Sequence, residues 1–325
     1  MGENKQYTSN LNIVYDPRLK RKTSKLTDSK RENLMGTLMA SGPFIGFILF
    51  SLIPMVVSII ISFTELRGFN VEQAKFVGFE NYINLLTDPN YTMYLKYAIT
   101  NTLTWLINVP LNMGIALFIA NLLSKKRKGS KFLRTILFIP SICSTVAVTL
   151  MWQWILDPNY GIINTVLQGV GLNKIPFTSD ASYFLPSCLL ISVWIYGTNI
   201  VLMQNALASV NKEVKEAASM DGASDFYIFW KITVPLITPT LFYLLITNLV
   251  VAFQEMQIMQ LIASNGIGPG YKALTLSYYI YRMAYVSYGS DGLGIASALS
   301  WMMAIVIMII TFLNFKLSKK WVHYD

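Results

Sequence analysis

Within the apolar stretches of this 325-residue chain one acid stands apart, Glu255, with Gln254 before it and Gln257 after it. An acid in such surroundings binds a hydroxyl, binds a cation or faces water, because an unpaired charge in hydrocarbon is costly. The hydrated or hydroxyl-facing role is favoured here over a cation site. Other polar and aromatic residues recur in similar settings: Asn101, Asn108 and Asn112 at i, i+7 and i+11 with Trp105, then Trp194, Tyr196 and Asn199, then Asn248. Aromatic faces cover the C–H surface of a ligand, and amides or carboxylates bond its hydroxyls. Asn and Thr in apolar helices also serve packing alone, so each position has a second reading. The candidates for a ligand path are Asn108, Asn112, Trp194, Tyr196, Asn199, Asn248, Gln254 and Glu255.

Other kinds of chemistry lack their residues. The sole histidine, His323, lies near the C-terminus, and neither Cys143 nor Cys188 has a base partner visible in the sequence. The two cysteines form no CxxC and no metal-ligand spacing, so neither a disulfide framework nor a zinc site is expected. No catalytic residue, metal or cofactor is expected on this chain. A G-x-x-x-x-G-K-[ST] phosphate loop is missing; Lys128-Gly129-Ser130-Lys131 shares its end but lacks the first glycine and the preceding strand. Any ATP is therefore hydrolysed by a partner.

The elements that must carry these residues are membrane spans. The chain is 54% hydrophobic and 13% charged, against about 25% charged in soluble domains. Its apolar residues gather in blocks near the roughly 20-residue length of a spanning helix, at about 38–63, 98–123, 132–155, 187–207, 239–262 and 293–315. Of the 26 Lys and Arg, Arg67, Lys75, Lys96, Lys174, Lys272 and Arg282 fall on one side of such a bundle, and the other twenty fall opposite. Cytoplasmic segments retain Lys and Arg, so both termini are expected in the cytoplasm. These clusters beside spans account for the net charge of +9 without nucleic acid. Residues 1–37 form a basic cytoplasmic tail, 38–315 a six-span domain and 316–325 a short cytoplasmic tail. The polar N-terminus exceeds the charged part of a signal peptide and no A-x-A-like site follows the first block, so the first span is expected to stay.

The outer connections, about 64–97, 156–186 and 263–292, are rich in turn formers. The inner connection, 208–238, has a helical composition instead, which suggests a docking surface. Val214–Met220 favours helix, with Ala217 and Ala218 leaving one side small, and Gly222 permits a sharp turn. Phe226, Phe229, Trp230 and Ile232 follow as an apolar stripe suited to the membrane edge. Pro235 and Pro239 fit the first turn of the re-entering helix.

At this loop the sequence resembles the permease subunits of binding-protein-dependent ATP-binding-cassette importers. Their signature is EAA, three residues, G, nine residues and I-x-L-P; here Glu216-Ala217-Ala218, Gly222 and Ile232-x-Val234-Pro235 keep that spacing, with Val for Leu. Asp221-Gly222-Ala223 and the Pro235/Pro239 pair resemble the sugar-importing branch that includes maltose and glycerol-phosphate permeases. The resemblance runs from about residue 36 onward, through Phe138-Ile139-Pro140-Ser141, Trp152 and Trp154, Gly161-Ile162-Ile163-Asn164, Ser277–Tyr281 and Gly294–Ala298. One departure is visible: Leu261-Ile262-Ala263-Ser264-Asn265-Gly266-Ile267-Gly268-Pro269 stands where the family often has Leu-Thr-x-Gly-Gly-Pro. Contacts made by that loop are expected to differ.

The resemblance implies an all-α integral membrane protein with six transmembrane helices in the type I, methionine-importer-like permease fold. It implies a bacterial inner-membrane location and four kinds of partner: a second permease forming a heterodimer, two ATPase subunits holding ATP and Mg, an extracellular solute-binding protein, and a carbohydrate. Glu216 then anchors to a basic group on the ATPase, Ala217 and Ala218 allow close packing, Asp221 caps the following helical turn, and Gly222, Ala223 and Pro235 shape the loop. In maltose-type relatives the sugar contacts lie on the spans flanking this loop. Counting from Glu216, Asn248 falls at one such place, with Tyr196 and Asn199 near another. The alternatives are an ion-coupled secondary transporter, for which Glu255 is thin support, and an integral-membrane enzyme.

Overall fold

A computed structural model describes residues 28–68, 72, 74–124, 129–263, 265–286 and 292–323. The basic residues before 28, the Lys125–Lys128 cluster, Ser264 and the last two residues of the C-terminal tail lie outside the described residues. The chain divides into two compact units, Met1–Val57 and Ser58–Asp325.

The first unit holds α1 (Asp28–Phe47), a π-helical stretch (Ile48–Leu52) and the start of α2 (Ile53–Ser62), whose last five residues belong to the second unit. The helix thus begins before residue 38, because Lys30, Arg31 and Glu32 are good helix formers that extend it into the expected tail. Its apolar side chains, Met39 and Phe50 among them, are exposed, which suits a face turned to lipid.

The second unit continues with α3 (Glu80–Thr87), α4 (Pro89–Trp105), α5 (Asn108–Ser124), α6 (Ser130–Ile142) and α7 (Thr145–Ile155). Then come α8 (Ile162–Gly169), α9 (Ala181–Ile195), α10 (Gly197–Ser209), α11 (Lys212–Met220) and α12 (Asp225–Tyr227). A π-helix (Ile228–Thr233) precedes α13 (Val234–Leu236), α14 (Thr238–Phe253), α15 (Gln257–Ile262), α16 (Leu276–Tyr285) and α17 (Leu293–Ser318). Among the described residues there is no strand beyond an isolated bridge between Thr64 and Phe76.

Among the described residues Lys30–Ser62, Pro89–Ser124 and Leu293–Ser318 are each long and apolar enough to cross a membrane, and three bent helix pairs, each counted as one span, bring the number to six. Bends break two of the expected spans, and a third ends early. Block 132–155 is α6 and α7, turned by 102°. Each half is too short to cross about 30 Å of hydrocarbon at 1.5 Å per residue. Pro140 removes one backbone donor from the end of α6, and Cys143 and Ser144 are extended. Block 187–207 is α9 and α10, bent by 51° at Tyr196. Block 239–262 ends as a helix at Phe253, and its start is bent by 68° from the preceding segment where Pro235 and Pro239 flank Ile237. The Thr238 hydroxyl occupies the Pro235 carbonyl there, at 2.6 Å.

Three apolar clusters hold the second unit. One gathers Trp105, Phe184, Ile191 and Met259; a second joins Leu85, Leu274, Met283 and Leu299; the third places Ala116 and Ala120 of α5 against Met203 of α10 and Leu244 of α14. Alanines on α5 let α10 approach closely. Gly197 extends that approach to α6: a Cβ there would collide with the Leu137 carbonyl and lie 3.1 Å from Phe138 Cα. After α17 the chain folds back, with the His323 amide donating to Thr238 Oγ1 at 3.0 Å and Trp321 packing on Phe242, so the described part of the C-terminal tail is held against α14.

Candidate functional site

The connection between α10 and α14 is built as helix, turn, helix. Asn211 Oδ1 accepts the Glu213 amide at 2.9 Å and starts α11. At its end the Ala223 amide reaches the Ala218 carbonyl at 3.0 Å and the Gly222 amide reaches Ser219 at 3.1 Å. This is the Schellman arrangement, and it requires the left-handed backbone of Gly222, at φ +83°. A Cβ on Gly222 would meet nothing within 4 Å. The glycine therefore satisfies the backbone and leaves open space beside the turn.

Glu216 is exposed and pairs with Lys212 one turn earlier, at 2.5 Å. That hydrogen bond raises the Lys212 pKa above its ordinary value. Ala217 is exposed and Ala218 and Ala223 are half-buried, so α11 presents a shallow surface. The cap expected from Asp221 is corrected. Asp221 closes α11, its amide donating to Ala217, and the following turn is capped by Ser224, whose Oγ accepts from Tyr227 N at 3.3 Å. The Schellman turn inserts Gly222 and Ala223 between the helices, which moves the cap three residues on. The π-helical register turns Ile228 and Thr233 inward, while Phe226 and Trp230 stay exposed.

The path candidates separate into two kinds. Asn108 and Asn112 are buried in a hydrogen-bonded knot: Asn112 Nδ2 donates to the Asn108 carbonyl at 3.0 Å and also to Asn108 Oδ1, which accepts Ser192 Oγ at 2.8 Å. Asn101, on the same face, is committed to the fold, donating to the carbonyls of Tyr271 at 2.7 Å and Leu274 at 3.0 Å. By contrast Asn199 and Asn248 are buried with Nδ2 unpartnered. Tyr196 sits at the α9–α10 bend and Trp194 packs edge-on against Trp152, centroids 5.8 Å apart. Asn112, Trp194, Tyr196 and Gly197 line a cavity of about 220 Å³ between α5, α6 and the α9–α10 bend.

Gln254 and Glu255 lie in the break between α14 and α15 rather than within a helix. Glu255 Oε1 accepts the Ile258 amide at 2.9 Å, and its carbonyl accepts Thr275 Oγ1 at 2.8 Å. The carboxylate thus stabilises the start of α15, a use that periodicity did not reveal. Gln254 is exposed and faces an open groove with Ser300, Met303 and Thr311 of α17. The divergent loop after α15 has its own fastening, the Gly266 carbonyl accepting Tyr278 Oη at 2.6 Å and Arg282 Nη1 at 2.8 Å. Gln204 was missed by sequence reasoning. It is buried on α10 with neither side-chain nitrogen nor oxygen partnered, and its signal was an amide within an apolar block.

Broken spans around buried amides, with a structured helix-turn-helix exposed between two of them, define a membrane transport subunit. The chain belongs to the family of binding-protein-dependent transport system inner membrane components, whose profile matches residues 112–322. It is 35% identical over 299 residues to the probable ABC transporter permease protein YesP of Bacillus subtilis, covering 91% of this chain and 94% of that one. The sn-glycerol-3-phosphate transport system permease protein UgpA of Agrobacterium fabrum is 29% identical over 253 residues, 77% of this chain and 83% of that one. In fold the chain matches a bacterial alginate ABC transporter solved with an alginate pentasaccharide-bound periplasmic protein, at TM-score 0.78 and 23% identity, over 91% of this chain and 98% of that one. The architecture is the type I importer permease fold.

Proposed function

We propose that this permease imports a carbohydrate, an oligosaccharide in particular, delivered by an extracellular binding protein, and that α11 and its turn couple the spans to partner ATPases. The observation that carries the coupling role is the exposed helix ended by Gly222, shallow on its outer side and free of neighbours at the turn. Glu216 exchanges its Lys212 partner for a basic group of the ATPase, and a rigid docked element passes the closure of the ATPases to the bent spans. The termini, α11 and the basic clusters face the cytoplasm, and a second, different permease completes the path.

Two supports bear on the substrate. Buried amides without partners, Asn199 and Asn248, offer donors to hydroxyls, Tyr196 and Trp194 offer aromatic faces, and no Lys or Arg stands among the path candidates to neutralise a phosphate. The alginate transporter shares the fold, while a glycerol-phosphate permease is also a relative, so phosphate esters form the competing class. Uptake of labelled oligosaccharide and of glycerol 3-phosphate by cells expressing the whole system tests the choice. The expected result is oligosaccharide uptake that stops on ATP depletion and survives collapse of the ion gradient. Uptake with the opposite dependence supports an ion-coupled transporter and contradicts the proposal, and glycerol-phosphate uptake alone contradicts the substrate class.

A further inference from the structure

Between the end of α5, the start of α6 and the α10–α11 connection lies a cavity of about 500 Å³, lined by Ser124, Ser130, Lys131, Arg134, Gln204 and Lys215 among others. That volume lies within the roughly 300–1,000 Å³ of small-molecule sites. Among the described residues four cations border it: Lys131, Arg134, Lys212 and Lys215. Only Lys212 has an acidic partner among the described residues, Glu216. Lys215 Nζ donates to the Leu207 carbonyl at 3.3 Å, and its partial burial lowers its pKa, so the ammonium is held in place without a counter-charge.

The second observation is Gln204. It lines the same cavity at 3% exposure, with Nε2 and Oε1 both lacking a partner. An unsatisfied buried amide costs folding energy that a leucine of similar size avoids. A ligand that accepts from Nε2 and donates to Oε1 satisfies both atoms. A bare metal or a second cation cannot, and an apolar chain satisfies neither. A phosphate group carrying a hydroxyl does: its oxygens accept from the amide, from the Ser130 hydroxyl and from the Arg134 fork, and a P–OH or a neighbouring glycerol hydroxyl donates to Oε1.

We propose that this cavity binds one phosphate-bearing anion, supplied either as the headgroup of an anionic phospholipid or as free phosphate, at the root of the coupling helix. The proposal rests on the function given above in one respect, that this end of the bundle faces the cytoplasm. An occupied site ties α10 and α11 to α6 through charges that otherwise repel, which fixes the helix that docks the ATPase.

The test uses the full-length chain in nonionic detergent, with three probes: short-chain phosphatidylglycerol, short-chain phosphatidylcholine and inorganic phosphate. Phosphatidylglycerol is expected to bind at least about tenfold tighter than phosphatidylcholine, with Arg134→Gln and Lys131→Gln together removing that preference. Gln204→Leu is expected to weaken binding about fivefold, while the unfolding temperature stays level or rises because an unpaired amide has gone. Displacement of the lipid by millimolar phosphate assigns the free anion as a ligand, and resistance to it assigns the lipid headgroup; either supports the site. Equal binding of the two lipids with no phosphate binding overturns it. So does a lipid preference that Gln204→Leu leaves untouched, which marks surface charge alone. Recovery of ATPase subunits by the same variants is read separately, so a failed site and a failed coupling role are distinguishable.

Discussion

Replacing Gly222 by Ala and by Asn separates two demands on one residue. A non-glycine residue in the left-handed region costs about 1–2 kcal/mol, of which roughly 0.4–1 kcal/mol returns through a less flexible unfolded chain. Since a Cβ at Gly222 meets nothing within 4 Å, no steric term is added, and Gly222→Ala should lose on the order of 1 kcal/mol, a few degrees in unfolding temperature. Asn adopts the left-handed conformation more readily than Ala, so Gly222→Asn should lose less. Docking makes the opposite ranking. The larger Asn side chain fills the space that the ATPase groove must occupy, and overpacking a fitted contact costs about 1–3 kcal/mol, or about five- to 150-fold in affinity. The assay is recovery of tagged ATPase on the immobilised permease complex, beside thermal unfolding of the permease alone. Gly222→Asn should be the more stable and the weaker binder. Binding by Gly222→Asn equal to the native chain refutes the docking role of that space and leaves the glycine as a turn former only.

Asn101→Leu removes two bonds to the carbonyls of Tyr271 and Leu274 in a buried setting and should destabilise by about 2–5 kcal/mol; an unchanged unfolding temperature contradicts the role given to it. Asn108→Ala strips Asn112 and Ser192 of their shared acceptor and should lower the unfolding temperature by several degrees. Asn248→Ala removes an unpartnered amide, so it should leave stability level and reduce substrate-limited uptake about tenfold. The reverse pattern, a stable Asn108→Ala and an unfolded Asn248→Ala with normal uptake, sinks the division of these amides into packing and path.

Hydropathy made the six apolar blocks legible because length against bilayer thickness is a local property. The breaks were not, although their causes lie in the chain: Pro140, Pro235 and Pro239 mark where donors are missing, while the 102° turn at Cys143 and Ser144 depends on what α6 and α7 pack against. Spacing placed Asn101, Asn108 and Asn112 on one face, and all three are buried, but whether an amide serves the fold or a ligand is decided by partners as distant as Leu274 and Ser192. Gly222 was legible as a turn, and the displaced cap was not, since two residues inserted by the Schellman turn shift the cap from Asp221 to Ser224. Glu255 was read as a path residue, and the acceptance of the Ile258 amide by its carboxylate was not legible, because that contact is created by the interruption of α14.

The central claim is that this chain couples sugar entry to a partner's ATP hydrolysis through α11. It is tested most directly by reconstituting the chain in lipid nanodiscs with its second permease, ATPases and binding protein, then measuring ATP hydrolysis with candidate sugars. Stimulation by one sugar class, lost in Glu216→Arg while the permease pair stays assembled, is the predicted result. Sugar-stimulated hydrolysis that is unchanged in Glu216→Arg contradicts the coupling role, and a chain that retains no ATPase contradicts the importer assembly.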